Sequence, residues 1–200
     1  MHVIGLTGNI ASGKSLVSSR LAKLGARVVC ADAVARKIVR PGNEGASRIR
    51  KEFGDHVFQP DGSLDRTALG RIVFNDEESR KKLNALLHPL IIEDISRTID
   101  VWGKEAPAAI AVVDAALLIE AGMHKIVDEV WLVEARDDIR MERIMRRDGL
   151  KAEQALARMQ SQMPSKAKRL FARRILTNNE SESKLLAQVD ALWERMTAQF

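Results

Sequence analysis

Residues 8–15 read Gly8-Asn9-Ile10-Ala11-Ser12-Gly13-Lys14-Ser15, a complete G-x-x-x-x-G-K-S phosphate loop. The apolar run Val3-Ile4-Gly5-Leu6 precedes it, and Leu16, Val17, Leu21 and Leu24 follow it at helical spacing. Strand, loop and helix in that order turn a pattern match into a physical statement. The loop turns backbone N–H groups toward a phosphate, and the new helix points its positive end at the same charge. Lys14 can reach the β- and γ-oxygens of a nucleotide, and the Ser15 hydroxyl can sit on Mg²⁺. Gly8 and Gly13 stand where a side chain would keep the backbone from closing on the phosphate. A chance glycine-rich turn is the plain alternative; Lys14-Ser15 at the first strand–helix junction argues against it.

The rest of the composition suits such a core. Two hundred residues, 46% of them hydrophobic, fit one compact α/β domain with an inserted subdomain. The formal charge of +5 suits polyanionic partners, nucleic acid or phosphorylated small molecules. Aromatic content is only 4% and tyrosine is absent, so platforms for base stacking are scarce. The single cysteine, Cys30, excludes an internal disulfide, suits a reducing compartment and reads as a small buried hydrophobe. The first strand starts without a basic-then-apolar leader, and the apolar stretch from Ala106 to Ile119 is broken by Pro107 and Asp114. The expectation is a soluble cytoplasmic protein.

Along the chain, strand and helix alternate at both ends and strands vanish in the middle. Strands are expected at residues 2–7, 27–30, 109–114, 127–133 and 174–176. Helices are expected at 33–39, 44–53, 65–74, 76–87, 89–102, 137–147, 151–162 and 181–198. Asn75 with Glu78 reads as a capped helix start, Pro89 as a first-turn proline, and Lys104-Glu105-Ala106-Pro107 as a linker. The fold class is therefore α/β: a phosphate-loop, three-layer, doubly wound parallel sheet of about five strands with an inserted helical domain. Ligands in such sheets bind outside the carboxyl ends of the strands, where Gly8–Ser15, Asp32 and Asp114 all fall.

A phosphate loop alone does not separate kinases from other nucleotide enzymes. The guanine-specifying Asn-Lys-x-Asp and the Leu-Ser-Gly-Gly-Gln transporter signature are absent. Asp32 follows the second strand, with Arg36 one helical turn on. A carboxylate there can take a proton from an attacking hydroxyl, hold a water on Mg²⁺, or merely N-cap the helix starting at Ala33. Asp114 at a strand end is a metal-water ligand or a cap.

The chain resembles the dephospho-coenzyme A kinases nearly end to end. The residues that carry the likeness are Ile4-Gly5-Leu6-Thr7-Gly8 with Gly13-Lys14-Ser15, Ala31-Asp32 with Arg36, and Asp61-Gly62-x-Leu64-Asp65-Arg66. Further on come Leu87-His88-Pro89, Val113-Asp114, Leu117-Leu118-x-Glu120 and Asp128-x-Val130-x-x-Val133. Arg143-x-x-x-Arg147-Asp148-Gly149, Gln162-Met163-Pro164, Lys168-Arg169 and Asn178 complete the set. The loop is generic; His88-Pro89 and Leu117-Leu118 narrow the family.

The resemblance implies ATP-dependent phosphorylation of the ribose 3′-hydroxyl of dephospho-CoA, with Mg²⁺, by a monomer or weak homo-oligomer that engages neither nucleic acid nor membrane. It implies a nucleotide-binding core (1–35, 105–135 and 170–200), a helical CoA subdomain (36–104) and a lid (136–169). Lys14, Asp32 and Arg143 become the catalytic set, with Asp32 the general base. Gly8, Asn9, Ile10, Ala11, Ser12, Gly13, Lys14, Ser15, Leu16, Arg143, Arg147 and Asn178 become the nucleotide site. Asp32, Arg36, His88 and Leu117 become the acceptor site, and Ser15, Asp32 and Asp114 the metal site. The rivals are another phosphate-loop nucleoside or nucleotide kinase, and an ATP-binding homologue without turnover.

Several positions depart from the family pattern. Asn9 and Ala11 replace common glycines, Leu16 a Thr whose hydroxyl meets the α-phosphate, Arg140 a frequent Gln, and Arg173-Arg174 stand where an Asp is common. Losing the hydroxyl costs roughly 1 kcal/mol of nucleotide affinity. Arg140 and Arg146 suit a solvated helix face, as does the cluster Lys166, Lys168, Arg169, Arg173 and Arg174. Trp102, Trp131 and Trp193 read as core or rim packing.

Overall fold

The computed structural model describes residues 1–198. The described residues divide into two compact units, residues 1–29 with 99–198, and residues 30–98.

The first unit is built on a parallel five-stranded sheet. Its central strand β1 (His2–Gly8) lies between β3 (Ile110–Asp114) and β4 (Glu129–Glu134). β2 (Arg27–Cys30) and β5 (Arg174–Thr177) are the edges, giving the order β2-β3-β1-β4-β5. Leu6 sits opposite Asp114 on one side and Trp131 on the other, and Val133 sits opposite Leu176. All five residues of β3 are buried, which is why Ile-Ala-Val-Val reads as a continuous apolar run rather than an alternation. One face is covered by α1 (Lys14–Lys23) and α9 (Glu182–Thr197). Val17 and Leu21 from α1 and Leu185 and Val189 from α9 meet Ile4, Leu6, Val112 and Trp131, each fully or almost fully buried. Every such Leu, Ile or Val contributes about 1.5–3 kcal/mol. Arg20 fastens α1 to Asp190 of α9 through a two-pronged pair at 2.7 and 2.8 Å.

The second unit contains α2 (Ala31–Ile38), α3 (Glu44–Phe53), α4 (Arg66–Asn75) and most of α5 (Glu77–Glu105). Gly45 lets α3 close on the end of α2, since a Cβ there would stand 2.6 Å from the Ile38 carbonyl. Asp65 caps α4 by accepting from Thr67 and Ala68 N–H, both at 2.9 Å. Lys37 of α2 pairs with Asp94 of α5 at 2.8 Å.

Three expectations fail here. The helices expected at 76–87 and 89–102 and the first half of the linker, Lys104-Glu105, form the single helix α5, with Pro89 inside, and Ala106-Pro107 follow it as non-helical chain. An interior proline costs about 3 kcal/mol; burial of Ile91 and Ile95 on one face offsets it. The cap of α5 is Asp76, which accepts from Ser79 N–H at 2.8 Å, while Asn75 closes α4 by donating to the Arg71 carbonyl. A third miss is local: one-turn helices at Asp55–Val57, Met123–Ile126 and Ser165–Arg169 are too short to leave a periodic trace. Among the described residues no helix is long and apolar enough to cross a membrane.

Candidate active site

Four strand ends of the first unit converge at the phosphate loop. Gly8 ends β1 where a Cβ would lie 2.6 Å from the Val133 carbonyl of β4. Gly13 has φ 99°, a left-handed conformation, and a Cβ on it would fall on Asn178 Nδ2. Asn178 follows β5: its N–H donates to the Glu134 carbonyl at 2.7 Å and its Nδ2 to the Ser12 carbonyl at 2.8 Å. Gly13→Ala is therefore expected to break both the loop and its strap to β5. ATP affinity should drop by about a hundredfold, roughly 2.7 kcal/mol, measurable by titration calorimetry; an unchanged affinity would disprove the clamp.

Lys14 opens α1 and its ammonium pairs with Asp114 at the end of β3. Both side chains are mostly buried, 15% and 9% exposed. Ser15 is exposed in the same first turn, where helix N–H groups have no internal partners. Leu16 turns the other way and packs on the core. Beyond Asp114, Thr7 Oγ1 and Lys168 Nζ both donate to the Ala116 carbonyl, at 3.2 and 2.7 Å. They fix the segment that carries the exposed Leu117.

The outer side of the loop is held by α6 (Asp137–Asp148), α7 (Ala152–Gln160), α8 (Ser165–Arg169) and the residues between them. Ile10 and Ala11 pack on Ile144, Ala155 and Met159. Arg143 donates to the Ala11 carbonyl at 3.3 Å and to the Asn178 carbonyl and Oδ1 at 3.2 and 3.3 Å. Gln162 Oε1 accepts from Ile10 N–H at 2.7 Å. Asn9 donates to the Met163 carbonyl at 2.9 Å and accepts from Ser165 Oγ at 3.1 Å. The Asn9 side chain thus docks the loop on the 163–165 turn.

Two arginine and lysine expectations are corrected. Arg140 is buried rather than part of a solvated face, and Lys168 is fully buried rather than part of a solvated cluster. Lys168 pairs with Glu120 at 3.0 Å. Burial pushes its ammonium below the ordinary lysine range, against the opposing pull of Glu120. Arg169 and Arg173 fit the expectation of exposure, though each holds a glutamate, Glu134 and Glu129. Arg147 stands apart from the loop on the surface of α6 and pairs with Asp148 at 2.7 Å. Trp131 is core.

The remaining expected residues belong to the second unit. Asp32 is the second residue of α2, whose cap position is Cys30, so the N-cap reading of Asp32 is not realised. Its carboxylate is exposed, as is the Arg36 side chain one turn later. His88 lies inside α5, half-buried. Burial pushes its imidazole below the usual histidine range, favouring the neutral form.

The chain has recognisable relatives. The family model described as Dephospho-CoA kinase matches residues 2–184. A protein of Moorella thermoacetica named Dephospho-CoA kinase is 42% identical over 196 residues, 98% of this chain and 92% of that relative. A crystal structure from Thermus thermophilus superposes with a TM-score of 0.78 at 34% identity, covering 97% of each chain. A Dephospho-CoA kinase from Campylobacter jejuni superposes with a TM-score of 0.66 at 27% identity, covering 97% of this chain and 96% of that one. With its phosphate loop clamped between β1, β4 and β5 and this likeness running through almost its whole length, the chain belongs to the dephospho-CoA kinase family.

Proposed function

We propose that this chain transfers the γ-phosphoryl group of ATP to the ribose 3′-hydroxyl of dephospho-CoA, giving CoA and ADP. The observation that carries this reading is the pairing of Lys14, at the head of α1, with the buried carboxylate of Asp114 at the end of the neighbouring strand. That ammonium is held ready and can exchange one anionic partner for the β- and γ-oxygens of a nucleotide. Asp32 accepts the hydroxyl proton as the acceptor oxygen attacks the γ-phosphorus and the bond to the β–γ bridging oxygen breaks. Arg143, already on the Ala11 carbonyl, neutralises charge on the transferring group, and Arg147 adds to it by exchanging Asp148, its partner on the surface of α6, for a phosphate oxygen. Arg36 and His88 hold the nucleotide end of dephospho-CoA, and Leu117 offers it an apolar contact.

The residues suit a magnesium ion. Among the described residues no three His, Cys, Asp or Glu form a metal cage. Mg²⁺ needs none, because it binds through one or two protein oxygens and completes its shell with water and phosphate. Ser15 and Asp114 would hold it, a water-mediated contact from Asp32 being the alternative to its role as base, and when bound it would supply neutralisation of the β- and γ-phosphate charge. The two substrates are soluble phosphorylated molecules, which suits a cytoplasmic enzyme working as a monomer or weak homo-oligomer.

The test is to incubate the purified chain with ATP and Mg²⁺ and each of three acceptors: dephospho-CoA, adenosine and AMP. CoA formation at a kcat/KM at least about a hundredfold above the other two is the expected result. Preferential phosphorylation of adenosine or AMP would move the chain to nucleoside or nucleotide kinase chemistry. ATP binding with no transfer to any of the three would make it a non-catalytic homologue.

A further inference from the structure

Ala11 is the one non-glycine residue at positive φ among the described residues, at 62°. Alanine resists this left-handed conformation because its Cβ crowds the following carbonyl. A residue's φ and ψ are set by the two peptide planes that flank it, and here both planes are tied. Arg140 Nε donates to the Ile10 carbonyl at 3.0 Å, and Arg143 Nη1 donates to the Ala11 carbonyl at 3.3 Å. A trans peptide turns its C=O and N–H to opposite sides. Drawing the Ile10 carbonyl outward therefore turns the Ala11 N–H to the loop's inner side, where a phosphate loop offers its amides to the ligand.

Arg140 is built for this place. Its side chain is 4% exposed, its Nη1 donates to Asp137 at 2.7 Å, and its Nη2 is buried without a hydrogen-bond partner among the described residues. A buried guanidinium with an unsatisfied nitrogen is a costly way to pack a helix against a loop. That cost is intelligible if the contact it does make, to Ile10, sets the geometry of the site.

We propose that Arg140 is a positioning residue for the polyphosphate of the bound nucleotide: through the Ile10 carbonyl it holds Ala11 left-handed and aims the Ala11 N–H at a phosphate oxygen. The inference rests on the phosphate-loop reading but not on the identity of the acceptor. It makes Arg140 and Ala11 energetically coupled, because glycine adopts this conformation without help.

The test is a double-mutant cycle read as the Kd for ATP with Mg²⁺ by titration calorimetry, alongside the melting temperature of each nucleotide-free variant. Arg140→Met should weaken ATP binding about tenfold, and Arg140→Lys, which keeps one donor, about threefold. In an Ala11→Gly background the same two changes should cost less than about twofold. Equal losses in both backgrounds, or a lowered melting temperature with unchanged Kd, would overturn the proposal. Should Arg140→Met fail to fold, Arg140→Lys carries the same comparison. A wild-type chain that binds ATP but leaves dephospho-CoA unphosphorylated defeats the assigned reaction, and the affinities still decide Arg140. A wild-type chain without ATP affinity defeats both.

Discussion

Lys14→Met is expected to lower kcat/KM for phosphoryl transfer by at least about a thousandfold, roughly 4 kcal/mol of transition-state stabilisation. The ammonium offsets charge on oxygens that gain it as the β–γ bond breaks, and methionine fills the space while supplying none of that. The structure adds a second consequence. Asp114, its side chain 9% exposed, loses the cation beside it. Stranding a buried carboxylate costs about 3 kcal/mol, so the melting temperature should fall by roughly 6–12 °C. The double variant Lys14→Met/Asp114→Asn should regain most of that stability, since an amide needs no counter-charge, yet remain inactive. Recovery of activity in the double variant would mean that the single change acted through folding. Activity within a few-fold of wild type for Lys14→Met alone would remove the loop from catalysis.

The catalytic side of the first unit was legible because its signals are short-range. Gly8 to Ser15 carry their reason locally, in backbone that must approach a phosphate and a helix that starts at Lys14. The strand β3 announces itself by an apolar run ending in Asp114. What the chain hides is set by distant partners. Lys168 looks solvated beside Lys166 and Arg169, yet its burial depends on Ala116 and Glu120, about fifty positions earlier. Arg140 shares a helix with Arg146 and Arg147, and only the Ile10 carbonyl separates it from them. In the second unit Pro89 reads as a helix start on local rules, and the buried Ile91 and Ile95 override it. Asn75 and Asp76 are equally good caps in isolation, and the end of α4 decides between them.

Asp32→Asn carries the other large expected effect. Asparagine preserves the size and shape of the side chain but cannot accept a proton from an alcohol at neutral pH. If Asp32 is the base, kcat should fall by about 10²–10⁴-fold, the range for loss of a positioned proton acceptor. The Kd for ATP should stay within about threefold, because the phosphates are held by the loop, Lys14 and Arg143. The location of Asp32 makes the substitution clean. It occupies the second position of α2, exposed, with neither cap duty nor a structural partner among the described residues, so the melting temperature should hardly move. A metal-holding role gives a different pattern: ATP affinity falls and higher Mg²⁺ restores turnover. Normal turnover in Asp32→Asn would hand the proton to another group and leave this chain with a phosphate loop whose acceptor chemistry must be sought elsewhere.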